Sequence, residues 1–143
     1  MPHVLIVDSS FYTDIADELY KGAEAALKKA KVTFDRVSVP GAFEIPAAIR
    51  FAIESGKYAG YVALGCVIRG ETTHYDYVCE ESARGLMDLA LQKSAAIGYG
   101  ILTVENEEQA FARAKVSEGN KGKFAVEACL RMMELKEKFK VRG

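Results

Sequence analysis

Two patterns alternate along this sequence, and that alternation limits the fold more than any single motif does. Short apolar runs of strand length take turns with longer segments whose apolar residues recur every three or four positions. Val4 to Val7 is continuously apolar, as in a strand buried on both faces. Ile15, Ala16, Leu19, Tyr20, Ala23, Ala26, Leu27 and Ala30 then recur at helical spacing with charges between them. Thr33 to Val39 alternates and suits an edge strand. A turn follows at Pro40-Gly41, and Pro46 fits the first turn of a helix that runs to about Ser55-Gly56. Val62 to Ile68 reads as a second buried strand. The polar loop Arg69 to Thr73 leads into a helix from about Tyr75 to Gln92, and Ala95 to Val104 is the fourth strand. Asn106 with Gln109 predicts a helix cap and a back-bonding partner, opening a helix to about Lys115. Ser117 to Gly122 reads as a turn. The last helix is expected to bury Ala125, Ala128, Cys129, Met132 and Leu135. Strands and helices in this order imply an α/β fold: a four-stranded parallel sheet, right-handed crossovers and helices on both faces. No linker, repeat or low-complexity segment interrupts it, so residues 1–143 are expected to form a single domain.

Composition narrows the function classes. Lys and Arg number 19 against 20 Asp and Glu, so no basic excess draws the chain to nucleic acid or an anionic membrane. Two histidines and three cysteines leave few ligands for a metal site. An odd cysteine count (Cys66, Cys79, Cys129) without a close pair argues against a disulfide framework. No basic region precedes the first apolar run, which is too short for a signal peptide. The expected compartment is the cytoplasm.

In open parallel sheets, ligands bind beyond the carboxyl ends of the strands. The loops at Ser9 to Phe11, Pro40 to Glu44, Arg69 to His74 and Thr103 to Asn106 are therefore the candidates for a site. After the strand Val62 to Ile68, a polar loop opens a helix whose free N–H groups can receive a phosphate or carboxylate. Thr72 and Thr73 add hydroxyls there, and His74 has an imidazole suited to proton transfer near neutral pH. The plain alternative is a Thr73 cap beside a solvated histidine. His3, ahead of the first strand, reads as an exposed or edge residue. Glu44 either accepts hydrogen bonds from ligand hydroxyls or simply favours a helix start. Phe11 could stack on a flat heterocycle or cap the core. Arg113, Lys115 and Lys121 surround the last connection, and Arg113 could hold a phosphate through two parallel bonds. The cysteines read as small apolar packing residues. No dinucleotide or phosphate-loop glycine pattern occurs.

Four segments, in order and on the expected elements, resemble the lumazine synthase family. They are VPGAFEIP at Val39 to Pro46, ALGCVIRGETTHYDYVCEES at Ala63 to Ser82, GILTVEN at Gly100 to Asn106, and GNKG at Gly119 to Gly122. The resemblance covers nearly the whole chain. It implies a flavodoxin-like three-layer sandwich. It also implies condensation of 5-amino-6-(D-ribitylamino)uracil with 3,4-dihydroxy-2-butanone 4-phosphate, releasing phosphate and water, without a metal or organic cofactor. Carried over by position, His74 is the acid–base residue. Phe11, Ala42, Phe43, Glu44, Cys66, Val67, Ile68 and Tyr99 bind the ribitylaminouracil. Glu71, Thr72 and Arg113 bind the butanone phosphate. The resemblance further implies a homo-oligomer built on pentamers, with Tyr99 and Arg113 reaching the site from a neighbouring subunit. Three departures stand out. Tyr99 and Ser117 stand where Phe and a basic residue are common, and Ser10 and Tyr12 flank Phe11 where Arg and Asn are frequent. A non-catalytic lumazine- or flavin-binding protein on the same fold is the competing reading.

Overall fold

A computed structural model describes residues 3–141. The four strands are β1 (His3–Ser9), β2 (Thr33–Val39), β3 (Gly60–Ile68) and β4 (Ile97–Val104). All neighbouring pairs are parallel, in the order β2-β1-β3-β4. The helices are α1 (Thr13–Lys29), α2 (Ile45–Ser55), α3 (His74–Gln92), α4 (Glu107–Ala114) and α5 (Lys121–Lys138). A short 3₁₀ turn, Ala42–Glu44, leads into α2.

Each face of the sheet carries its own core, because side chains alternate along a strand. Val4, Ile6, Val62, Leu64, Leu102 and Val104 pack with Ile15, Leu19 and Leu27 of α1 and with Ala125, Val126 and Cys129 of α5. Leu5, Val7, Tyr61, Ala63, Val67 and Ile101 pack with Ile45 and Ile49 of α2 and with Val78 and Leu86 of α3. The result is the expected three-layer, flavodoxin-like α/β sandwich. The central strands β1 and β3 are almost wholly buried, whereas β2 lies at an edge and is largely exposed. Pro46 sits in the first turn of α2. Gly56 ends that helix at φ +67°, in the left-handed region that glycine tolerates best. At Gly98 a Cβ would collide with the Ala125 carbonyl, so this glycine lets α5 lie directly on β4.

Several expected boundaries shift. Strand β3 starts at Gly60 rather than Val62, β4 starts at Ile97 rather than Ala95, and α5 takes in Lys121 and Gly122, which read as a turn. One expected core face is right at Ala125 and Cys129, half right at Leu135, which is only partly buried, and wrong at Ala128 and Met132. Helix α5 buries Gly122, Ala125, Val126 and Cys129, while Ala128 and Met132 face outward. The helix docks through the stripe that meets α1 and β4, and Ala128 and Met132 belong to a second apolar stripe one residue away.

Candidate functional site

The chain runs outward from β1 to β2, then crosses over β1 to β3 and on to β4. The switch of direction lies between β1 and β3, where an open parallel sheet leaves a crevice beyond its strand ends. Register deepens that crevice. The β1–β3 ladder ends at the pair Asp8–Leu64, whereas the β3–β4 ladder continues to Ile68–Val104. The β1-facing edge of β3 at Cys66, Val67 and Ile68 therefore has no strand beside it. A bare strand edge presents N–H and C=O groups that must find other partners.

A cleft of about 460 Å³ lies against this edge. Phe11, Ala42, Phe43, Glu44, Cys66, Val67, Ile68, Thr72 and His74 all line it, joined by Tyr12, Pro40, Gly41, Gly70, Tyr75 and Val78. Three of the four expected loops thus converge. Tyr99, Glu71 and Arg113 do not line this cleft. Tyr99 lies on β4 with its ring half exposed, and Arg113 lies in the last turn of α4.

Backbone bonds hold the first wall. The Ser10 N–H and hydroxyl both donate to the Val39 carbonyl, which ties the Phe11 loop to the end of β2. Phe11 is 72% exposed, with its ring edge-on to Tyr12 at 4.9 Å. Phe43 is also exposed, so two aromatic faces stand open beside the bare strand edge. Glu44 accepts the Gly41 N–H through Oε1 at 2.9 Å, which fixes the carboxylate at the cleft rim.

The second wall is the start of α3. Thr73 occupies the cap position but makes no side-chain capping bond. Instead the Thr72 hydroxyl accepts the His74 N–H at 3.3 Å. The His74 imidazole is exposed and has no hydrogen-bond or ion-pair partner among the described residues. An unengaged imidazole at a helix start, in a cleft also lined by exposed aromatics, can move protons on a flat polar ligand.

Other candidates resolve differently. Asn106 caps α4 by accepting the Gln109 N–H. The Gln109 side chain bonds back to the N–H of Glu105, not to the cap residue itself. Arg113 donates Nη1 to the Gln109 carbonyl at 3.0 Å and is otherwise exposed. Burial pushes the Tyr99 phenol pKa up, and the buried Ser82 on α3 donates its hydroxyl to the Cys79 carbonyl at 3.2 Å. Burial likewise pushes the Cys66 and Cys129 thiols up to about 12, which removes them as nucleophiles at neutral pH. His3 is not a bland edge residue: it is half buried and bonded through both ring nitrogens. Among the described residues, no group of three His, Cys, Asp or Glu side chains is placed to hold a metal ion. No described helix is long and apolar enough to cross a membrane.

Sequence reasoning missed Tyr12 and Tyr75 as cleft residues. Each adjoins a residue it had chosen, and adjacency to Phe11 and to His74 was the available signal.

Fold and cleft together define an α/β protein with an open cleft, suited to a small polar ligand, at the switch point of a parallel sheet. Comparison with known proteins gives the family. The family described as 6,7-dimethyl-8-ribityllumazine synthase matches residues 2–137. A 6,7-dimethyl-8-ribityllumazine synthase from Bartonella tribocorum is 60% identical over 139 residues, covering 96% of this chain and 92% of that protein. The enzyme of the same name from Agrobacterium fabrum is 56% identical over 142 residues, covering 96% of each. A solved structure, a fragment described as a lipoprotein from Peptoclostridium difficile 630, shares the fold alone. Its TM-score is 0.51 at 10% identity, over 94% of this chain and 99% of that one. The chain belongs to the 6,7-dimethyl-8-ribityllumazine synthase family, and it is a transferase of riboflavin biosynthesis.

Proposed function

We propose that this cleft joins 5-amino-6-(D-ribitylamino)uracil to 3,4-dihydroxy-2-butanone 4-phosphate. The observation that carries the assignment is convergence: the loops after β1, β2 and β3 bring open aromatics, a fixed carboxylate, a bare strand edge and a free imidazole to one crevice. The pyrimidine lies between Phe11 and Phe43, with its edge read by the backbone of Cys66, Val67 and Ile68. Ala42 leaves room for the ring, and Glu44 accepts from the ribityl hydroxyls. Glu71 and Thr72, at the start of α3, receive the phosphorylated ketone. His74 carries protons as the amine attacks the ketone, the imine forms, phosphate leaves and the ring closes.

Tyr99 and Arg113 enter from a neighbouring subunit in a homo-oligomer built on pentamers. Two observations support this. Neither residue lines its own chain's cleft, and Phe51, Met87 and Leu91 on α2 and α3, with Phe124 and Phe139 at the two ends of α5, are exposed large apolar side chains that a neighbouring copy could cover. The two small molecules and a second copy of the chain are the partners. The cytoplasm is the compartment, and residues 1–143 act as one domain.

Mixing both substrates with the protein should produce lumazine fluorescence and free phosphate. Binding of either substrate without product would instead make this a lumazine- or flavin-binding relative. Subunit sharing has its own test. Impaired His74→Ala and Arg113→Ala chains, dissociated, mixed in equal amounts and reassembled, should regain native kinetic constants at about a quarter of the sites in a ring of shared interfaces. No recovery, or a monomeric mass in solution, would put Arg113 outside the site.

A further inference from the structure

We propose that Arg69 is a positioning residue of the cleft: it clamps the loop bearing Glu71, Thr72 and His74. The inference rests on the function proposed above and concerns a residue that does not itself line the cleft.

Arg69 is the first residue after β3. Its N–H donates to the Val104 carbonyl at 2.9 Å, continuing the strand's alignment into the loop. Its side chain then serves three neighbours at once. Nε donates to Glu105 Oε2 at 2.9 Å. Nη1 lies 3.5 Å from Asp76 Oδ1, in the first turn of α3. The guanidinium carbon sits 4.3 Å from the centre of the Tyr75 ring. The loop therefore begins at Arg69 and ends at Tyr75 and Asp76, and both ends meet at one planar cation. Glu105 extends the clamp to the connection between β4 and α4, whose next residue, Asn106, caps α4. Tyr75 lines the cleft.

Packing alone does not shape this loop. A Cβ added at Gly70 would meet nothing within 4 Å, and Glu71, Thr72 and Thr73 are all exposed. The guanidinium fork supplies the missing constraint, because only arginine offers several donors in a fixed plane together with a face that stacks on a ring. Each ion pair is exposed and contributes little stability by itself. What the clamp provides is geometry at the substrate contacts.

The test compares Arg69→Met, Arg69→Lys, Glu105→Gln and the double variant Arg69→Met/Glu105→Gln, with kcat and KM for each substrate. Arg69→Met should lower kcat/KM for the phosphorylated ketone by about 10- to 100-fold, the scale of a misplaced reacting group. KM for the ribitylaminouracil should barely move. Arg69→Lys should not rescue it, since an ammonium cannot stack on Tyr75 while reaching both carboxylates. Glu105→Gln should give a smaller loss in the same constant, and the double variant should be no worse than Arg69→Met. Direct phosphate binding by Arg69 predicts the reverse: rescue by lysine, and tighter phosphate-substrate use once Glu105 is neutral. That result would overturn the proposal, as would unchanged constants in Arg69→Met. Hydrogen exchange reads the clamp without turnover. The amides of Thr72, Thr73 and His74 should exchange faster in Arg69→Met, and equal exchange would sink the clamp. Absence of lumazine from the unaltered protein would instead strike the proposed function and leave exchange to decide on Arg69.

Discussion

The two ends of the sheet use the same kinds of side chain for opposite purposes. At the amino end, His3 bonds Thr33 Oγ1 at 2.7 Å and Asp35 Oδ2 at 3.1 Å, and its ring stacks on Tyr58 at 5.4 Å. Asp35 also receives the Tyr58 hydroxyl at 2.7 Å and lies 3.4 Å from Lys57 Nζ. Histidine, threonine, carboxylate and tyrosine satisfy one another there. At the carboxyl end, His74, Thr72, Glu44 and Tyr75 occur again, but the imidazole is unpartnered among the described residues and Phe11 and Phe43 stand bare. Residue type alone therefore does not mark a site. The proposed site is the end where polar groups are held in place yet left without a mutual partner.

The sharpest way to break this comparison is to remove each histidine in turn. His74→Ala should lower kcat by about 100- to 10,000-fold, the usual contribution of a general acid–base group, with the unfolding midpoint unmoved. His3→Ala should leave turnover intact and cost about 1 kcal/mol of stability, the scale of a lost hydrogen bond. Steady-state kinetics and thermal unfolding on both variants decide it, and the opposite pattern would assign the chemistry to the wrong end. Next in size is Arg113→Ala. Losing hydrogen bonds to a charged phosphate, at about 1.5–3 kcal/mol, should raise KM for the phosphorylated substrate roughly 10- to 100-fold while KM for the pyrimidine holds. A uniform change in both would remove Arg113 from the phosphate. Phe11→Ala should be milder. Loss of about 1 kcal/mol of stacking should raise KM for the pyrimidine several-fold, and an unchanged KM would leave Phe11 as a mere cap on the core.

Much of the scaffold was legible because it depends on local pattern. Val4 to Val7 and Val62 to Ile68 are apolar without interruption, as strands covered on both faces must be. Pro46 and Gly56 marked the two ends of α2 by backbone chemistry alone. Helix α5 misled because periodicity cannot separate two adjacent apolar stripes: Ala128 and Met132 follow the same spacing as Cys129 and Met133, shifted by one. The residues lining the cleft came chiefly from the family resemblance, since each motif alone also fitted a plain structural reading. What stayed hidden depends on how distant segments align. The bare edge at Cys66, Val67 and Ile68 exists because β1 stops pairing at Asp8. The bond network around His3 needs the His3–Thr33 register. Arg69 and Glu105 are separated along the chain and meet only because β3 and β4 pair through their last residues.

The smallest effect tests whether the amino end is structural. The Tyr58 hydroxyl, then His3, then Lys57, all donate to the Asp35 carboxylate, and they lower its pKa from 3.8 to about 2. A carboxylate held lower in the folded chain stabilises that state fully above about pH 4 and loses its contribution as pH falls through about 2, because the unfolded chain takes up the proton first. Unfolding midpoints of the unaltered protein and Asp35→Asn should therefore differ at neutral pH and converge between those two values. Turnover at neutral pH should be the same for both. A gap that persists unchanged at low pH would show that the variant acts through packing rather than charge. A loss of turnover would bring the amino end into the chemistry and end the division of labour between the two ends.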